Sequence, residues 1–340
     1  MTAPRLAITI GDPAGIGPEI ALKALYAVRS RIDAGEFALL IVGDIKALER
    51  ASAVVGVKCP QAVVTRAEAA GAPPVAILNV GTEEPVMIGR ICAEGGRQAF
   101  AAVEAATRLA QAGAVSAIVT GPLNKEALHL GGHHYAGHTE MLADLTGVSG
   151  SVMMLAHGNF RVSHVTTHCA LSDVPAKATR ERIEDVVRLT NQALQRIGIE
   201  RPRIAVAALN PHCGEGGIFG RHDIDVTQPL VARLREEGID VTGPVPGDTV
   251  FVSMRGGKYD AVVAMYHDQG HIPVKLLGFN VDPSTGSWSA LSGVNISLGL
   301  PVIRTSVDHG TAFDIAGTGT ADATSLVEAI DYALLLAESK

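Results

Sequence analysis

At 340 residues, with 47% hydrophobic and only 4% aromatic side chains and a mean hydropathy of +0.25, the chain is too apolar for disorder and long enough for one large or two ordinary cores. It reads as an Ala/Val/Ile/Leu/Gly-rich α/β enzyme with two lobes and a cleft. A net charge of -7, with basic residues scattered among acidic ones, excludes the electrostatic footprint of a nucleic-acid or anionic-membrane binder and leaves a small molecule as the expected partner.

Along the chain, Leu6 to Ile10 predicts a buried strand that runs into Gly11-Asp12-Pro13-Ala14-Gly15-Ile16-Gly17-Pro18-Glu19, and Ile20 to Val28 has helical periodicity. Pro18 suits the first helical position and Glu19 the positive helix end; the glycines either make a tight turn or let a ligand approach backbone amides. The spacing is not G-x-G-x-x-G, so no dinucleotide fingerprint is present. Phe37 to Val42 is the next strand, Ile45 to Val54 a helix, Val75 to Leu78 a strand and Glu94 to Ala112 a long Ala-rich helix. Ser116 to Val119 follows as a buried strand ending at Thr120-Gly121-Pro122-Leu123-Asn124-Lys125. Lys125, at a strand-to-helix handover, is a candidate catalytic residue, although a first-turn lysine is usually solvated. Gly137-His138-Thr139-Glu140 looks like a helix start in which Thr139 caps or contacts an anion.

Val152 to Leu155 and Arg161 to Val165 predict a strand pair around Gly158-Asn159 that leads to His168. Arg182 to Ile197 is an amphipathic helix, Ile204 to Leu209 a strand that empties into Asn210-Pro211-His212, and Asp225 to Glu237 a helix. Pro244 to Thr249, containing Asp248, is a turn-rich loop before Val250 to Met254. Asp260 to Met265 is a further buried strand, delivering His267, Asp268 and Gln269 at its C-terminal end, where α/β sheets place their ligands. Ala321 to Glu338 closes the chain as a helix.

Lys275, Asn295 and Arg304 supply the charge and the orientable amide that hold a phosphate or carboxylate. His168, His212 and His267 each follow an apolar run. One such histidine is more often structural, but three neutral imidazoles from separate strand ends can converge on a divalent metal with positions left open for substrate. Asp248 and Asp268 read as a further ligand, a partner for an imidazole, or caps. Cys169 and Cys213 read as packing residues. With Cys59 and Cys92 they form no C-x-x-C pair, so neither a disulfide framework nor a thiolate zinc site is expected, and a reducing cytoplasm fits. No signal-like segment opens the chain and no apolar run reaches about eighteen residues, which disfavours secretion and membrane spanning. A metal beside an anion site serves an oxidoreductase, an aldolase or a hydrolase of a phosphorylated substrate equally well.

Together these motifs resemble the 4-hydroxythreonine-4-phosphate dehydrogenase (PdxA) family over essentially the whole chain. The resemblance rests on the Gly11 to Glu19 loop, Pro122-Leu123-Asn124-Lys125, Gly137-His138-Thr139-Glu140, Asn210-Pro211-His212, Asp248-Thr249, Tyr266-His267-Asp268-Gln269-Gly270, Gly293-Val294-Asn295 and Arg304 through Thr311. It implies a cytoplasmic homodimer of two-lobed α/β/α subunits like the isocitrate and isopropylmalate dehydrogenases, here with residues 1–125 and 300–340 in one lobe and 126–299 in the other. It also implies NAD-dependent oxidation of a secondary alcohol and decarboxylation of the product. His168, His212 and His267 would bind the divalent metal (Zn, Mg, Mn or Co), with His267 coming from the partner subunit. His138, Thr139, Lys275, Asn295 and Arg304 would contact substrate, with Lys125 and Asp248 as candidate catalytic groups. Lys125 to Leu130 and His271 to Phe279 look more like the branch acting on 4-phospho-D-threonate and 4-phospho-D-erythronate than the vitamin B6 branch. Asn280 to Ser292 departs from the family as an insertion, either a tolerated surface loop or a pocket wall that would permit a non-phosphorylated dihydrodiol acid.

Overall fold

The computed structural model describes residues 3–148, 150–281, 283–284 and 288–338, the last group with backbone alone at 288–291. The chain divides into two compact units, Met1–Ser151 with Ala290–Glu338, and Val152–Ser289.

In the first unit the sheet order is Val63–Val64, Val75–Asn79, Ala38–Gly43, Arg5–Thr9, Ala117–Thr120, Arg304–Val307 and Val294–Leu298. Neighbours are parallel up to Arg304–Val307, and the last pair is antiparallel. Leu39, Leu40, Ile41 and Val42 are all fully buried, the near-continuous apolar run that a parallel strand covered on both faces requires. Connecting helices start and stop where local chemistry dictates. Asp44 accepts from the Lys46 and Ala47 amides (3.0 and 3.2 Å) to open Ile45–Val55, and Gly56 closes that helix in the left-handed conformation. Residues 126–151 and 290–299, expected in the second lobe, pack with this first unit. Helix Lys125–Leu130 lies against helix Ala93–Gln111 so closely that a Cβ at Gly96 would collide with the Ala127 carbonyl, and Val294–Leu298 completes the sheet beside Arg304–Val307.

In the second unit the order is Val152–His157, Phe160–His164, Ala261–Ala264, Ile204–Ala207 and Val241–Val245. The first two form the expected antiparallel pair and the rest run parallel. Three differences from the sequence reading have local causes. Gly243 and Pro244 disguise the edge strand Val241–Val245. Pro246-Gly247-Asp248-Thr249 reads as a turn, yet Pro246 is the N-cap of helix Gly247–Arg255 and Asp248 lies in its first turn. The helix expected from Asp225 to Glu237 begins instead as a π turn, Asp223–Thr227, before Gln228–Glu236. The insertion carries two short strands, Phe279–Val281 and Trp288–Leu291; Asp282 and residues 285–287 lie outside the described residues.

Candidate functional site

In the first unit, four neighbouring strands bring polar side chains into one row: Thr9 pairs in register with Thr120, Thr120 with Ser306, and Ser306 with Asn295. Directly opposed strand residues share a face, and Arg304, two residues before Ser306, shares it too. Arg304 is 2% exposed. Its Nε and Nη2 donate to the Thr120 hydroxyl (3.1 and 2.7 Å) and its Nη1 to the Ser297 hydroxyl (3.0 Å). Burial pushes its pKa down to about 9, partly offset by the Glu140 carboxylate, so the group stays cationic at neutral pH. Among the described residues its hydrogen bonds go to hydroxyls alone.

The expected anion ligands His138, Thr139 and Asn295 lie in the same unit, whereas Lys275 belongs to the second. Helix His138–Thr146 starts with Gly137 as N-cap, so Thr139 sits in the first turn and does not cap. His138 is half-buried, but its Nε2 is sealed from solvent without a hydrogen-bond partner among the described residues. Desolvation, with the Arg304 charge adding to it, holds this imidazole far below its usual range, hence neutral. The Asn295 Oδ1 and Thr9 Oγ1 are likewise buried and unpartnered. Of these orphaned atoms the Thr9 hydroxyl can donate to an anion, the His138 Nε2 can do so when it carries the ring proton, and the Asn295 Oδ1 accepts and calls for a donor such as a hydroxyl. Lys125 is exposed at the start of its helix, and neighbouring Asn124 is spent as the cap, accepting from the Ala127 amide at 2.8 Å.

The Gly11 to Glu19 loop is a closed knot. The Asp12 amide donates to the Pro122 carbonyl, Ala14 to the Asp12 carboxylate, Gly15 to the Asp12 carbonyl and Ile16 to the Thr311 carbonyl. The Glu19 carboxylate accepts from the Gly317 and Gly319 amides (2.5 and 2.8 Å). Its amides are therefore largely consumed by the fold. Asp12 is 1% exposed with Oδ2 unpartnered, and burial raises its pKa to about 6 against the lowering bond from Ala14.

The second unit holds the imidazoles. His168 and His267 of one chain face each other, ring centroids 5.6 Å apart. His267 opens helix His267–Gly278, and its Nδ1 lies 2.7 Å from the Asp268 carboxylate. A proton shared there leaves Nε2 as the lone-pair nitrogen, the arrangement that metal-binding histidines use. Behind His267 stand two histidines that sequence reasoning did not select. His271 stacks on His267 at 3.6 Å and 13°, and His164 follows His271 at 4.6 Å. Both are buried; desolvation, then neighbouring imidazole charge, lowers His164 to about 3 and His271 to about 4. The i,i+4 spacing of His267 and His271 would have found the stack once residues 267–278 were read as a helix.

His212 lies apart from this stack, with Phe219 at 6.5 Å. Six consecutive residues, His212 to Gly217, have positive φ, a rare and costly backbone state for His212, Cys213 and Glu215. Asp223, fully buried in the π turn, holds the loop by accepting from the Leu209 amide, the Asn210 amide and the Asn210 side chain (2.8, 2.9 and 2.9 Å). Gln269 bridges the neighbouring strand ends, accepting from the Met265 amide and donating to the Ala208 carbonyl. Among the described residues, no three His, Cys, Asp or Glu side chains of one chain already converge on a metal position. The donor set nonetheless fits a divalent cation: paired imidazoles, one with a carboxylate behind it. Asp248 is exposed, and Lys275 lies over the Phe279 ring at 5.0 Å. No helix of the described residues is long and apolar enough to cross a membrane.

Residues 36–333 match the family model described as pyridoxal phosphate biosynthetic protein PdxA. A Bradyrhizobium diazoefficiens protein provisionally named D-threonate 4-phosphate dehydrogenase is 61% identical over 340 residues, 99% of this chain and 98% of its own. The 4-hydroxythreonine-4-phosphate dehydrogenase of Beijerinckia indica is 47% identical over 97% of this chain and 94% of its own. The crystal structure of 4-hydroxythreonine-4-phosphate dehydrogenase from Klebsiella pneumoniae superposes with a TM-score of 0.80 at 44% identity, covering 98% of this chain and all of that one. The chain therefore belongs to the PdxA family of dehydrogenases.

Proposed function

We propose that the protein oxidises the secondary alcohol of a four-carbon phosphorylated hydroxy acid with NAD and a divalent metal, and that the resulting keto acid loses carbon dioxide. The observation that carries this reading is Arg304, a buried guanidinium whose hydrogen bonds, among the described residues, go to the Thr120 and Ser297 hydroxyls. A buried cation is stable only when a counter-charge completes it, and a phosphate supplies acceptors for its fork and for the Thr9 hydroxyl.

His138 and Thr139, in the first turn of their helix, and Asn295 orient the anion, and Lys275 adds a positive charge. His168, His212 and His267 would hold a divalent cation, whose chemistry when bound would be Lewis-acid polarisation of the substrate hydroxyl, with NAD as the hydride acceptor. Asp268 fixes the His267 tautomer. Lys125 serves as proton shuttle and Asp248 as further ligand or imidazole partner, both from exposed first-turn positions. The protein acts as a cytoplasmic homodimer. Family resemblance brings His267 across the interface; the contact between His168 and His267 within one chain favours His212 as the residue the second copy supplies.

The names of the relatives support both a 4-phospho-D-threonate and a 4-hydroxythreonine 4-phosphate substrate, and the motifs from Lys125 and His271 favour the former. The test is reduction of NAD by purified protein with each phosphorylated acid and a divalent metal. Reduction abolished by a chelator and fastest with 4-phospho-D-threonate is the expected result. Turnover without NAD reduction would place the protein among aldolases or hydrolases instead.

A further inference from the structure

We propose that His271 is a positioning residue for His267, setting the plane of its ring and hence the direction in which its Nε2 meets a metal. This rests on the reading of His267 as a ligand. His267 is a first-turn residue with a side chain 37% exposed, and its Nδ1 partner Asp268 is 72% exposed, so that pair alone leaves the ring free to swing about its own bond. His271 removes that freedom. Its ring lies parallel to His267 at 3.6 Å, and it is itself held at both ends. Its Nδ1 lies 3.0 Å from the His267 carbonyl oxygen, one helical turn back, and its other flank meets His164.

His164 is in turn wedged in place. Its Nδ1 lies 3.3 Å from the Met153 carbonyl oxygen, and its Nε2 edge lies where a Cβ on Gly270 would collide. Gly270 has to lack a side chain for the stack to close, since a Cβ there would collide with the His164 Nε2, and it would also meet the Val162 Cγ1 at 2.8 Å. A buried aromatic chain running from the sheet to an exposed donor transmits the rigidity of the core to the one ring that must point outward.

The experiment is Co²⁺ titration of metal-free protein, followed by the visible spectrum at saturation, for wild type, His267→Ala, His271→Leu and His271→Phe. His271→Leu keeps the volume and loses the ring face. His271→Phe keeps the face and loses the Nδ1 lock, and serves also if the leucine variant does not fold. We expect His267→Ala to abolish specific binding and His271→Leu to weaken it by about ten- to a hundred-fold, as residues behind a ligand do. His271→Phe should fall between His271→Leu and wild type. The cobalt bands should shift in both while the thermal midpoint stays close to wild type. Wild-type affinity and spectrum in both His271 variants, with binding lost in His267→Ala, would overturn the positioning role alone. Unchanged binding in His267→Ala would overturn the ligand reading beneath it.

Discussion

Arg304 and Asp12 are buried ionisable groups with opposite consequences. Because Arg304 loses its charge as pH rises through about 9, the free enzyme should lose affinity for a phosphorylated substrate above that pH. kcat/KM should fall on the alkaline side, with the fall absent for a non-phosphorylated analogue. Arg304→Ala should cost about 2–5 kcal/mol of transition-state binding, roughly 30-fold to several thousand-fold in kcat/KM. Arg304→Lys should recover little of this, since an ammonium cannot reproduce the guanidinium fork. For Asp12 the folded pKa of about 6 lies above the ordinary aspartate value of 3.8. The folded state therefore binds the extra proton between those values, and stability falls as pH rises through them. Two pKa units correspond to about 3 kcal/mol. Asp12→Asn should gain that much relative to wild type between about pH 4 and pH 7, read from urea midpoints at each pH; a constant difference would show that Asp12 does not titrate in this window. Of the two, only Arg304 announced itself in the sequence. Asp12 looks like a turn residue, and only packing reveals that its second oxygen has no partner. Arg304 was legible because an arginine between apolar residues needs a reason.

At the scale of elements, the apolar runs that became strands were legible because parallel strands buried on both faces leave no ambiguity of period, as at Leu39 to Val42. Helix Gly247–Arg255 was not, because proline, glycine and aspartate serve helix starts and turns alike. The imidazole stack was half legible. His267 and His271 are one turn apart on a helix, whereas His164 comes from a strand about a hundred residues earlier and joins them only through tertiary packing. The π turn at Asp223 makes a testable demand. Asp223→Ala strips the acceptors from three half-buried donors at the start of the His212 loop, and that loop already sits in strained backbone. A loss of about 3 kcal/mol in stability is expected, together with a lowered metal affinity that Asp223→Asn only partly restores. Chemical denaturation and metal titration on the same samples measure both. The stack adds an acid limit. His164 and His271 have folded values below the ordinary histidine value of 6.5, so unfolded chains take up protons first as pH drops. Stability should therefore decline below about pH 6.5 by roughly 1.4 kcal/mol per pH unit for each group.

For the whole molecule, composition and charge sufficed for the fold class, and the boundaries between units did not follow from them. A helix packed through Gly96 and an antiparallel strand moved residues 126–151 and 290–299 to the first unit, and neither contact has a local signature. The proposed homodimer has a surface to test. Ile272 and Leu276, one turn apart, and Val252 on the helix Gly247–Arg255 are 62%, 79% and 71% exposed, an outward apolar set of the kind a second copy covers. Leu276→Asp should shift sedimentation from dimer towards monomer and leave thermal stability at high protein concentration little changed.

The first unit is assembled from both ends of the chain, with strand Arg304–Val307 seated between Ala117–Thr120 and Val294–Leu298. On the ribosome this inverts the usual order in which the earlier-made part folds first. Residues 152–289 form a contiguous unit that can close as soon as it emerges, while the N-terminal strands wait with an open edge beside Ala117–Thr120 until nearly the last segment has been synthesised. A nascent chain stalled before Arg304 should therefore present a protease-resistant middle and a digestible beginning.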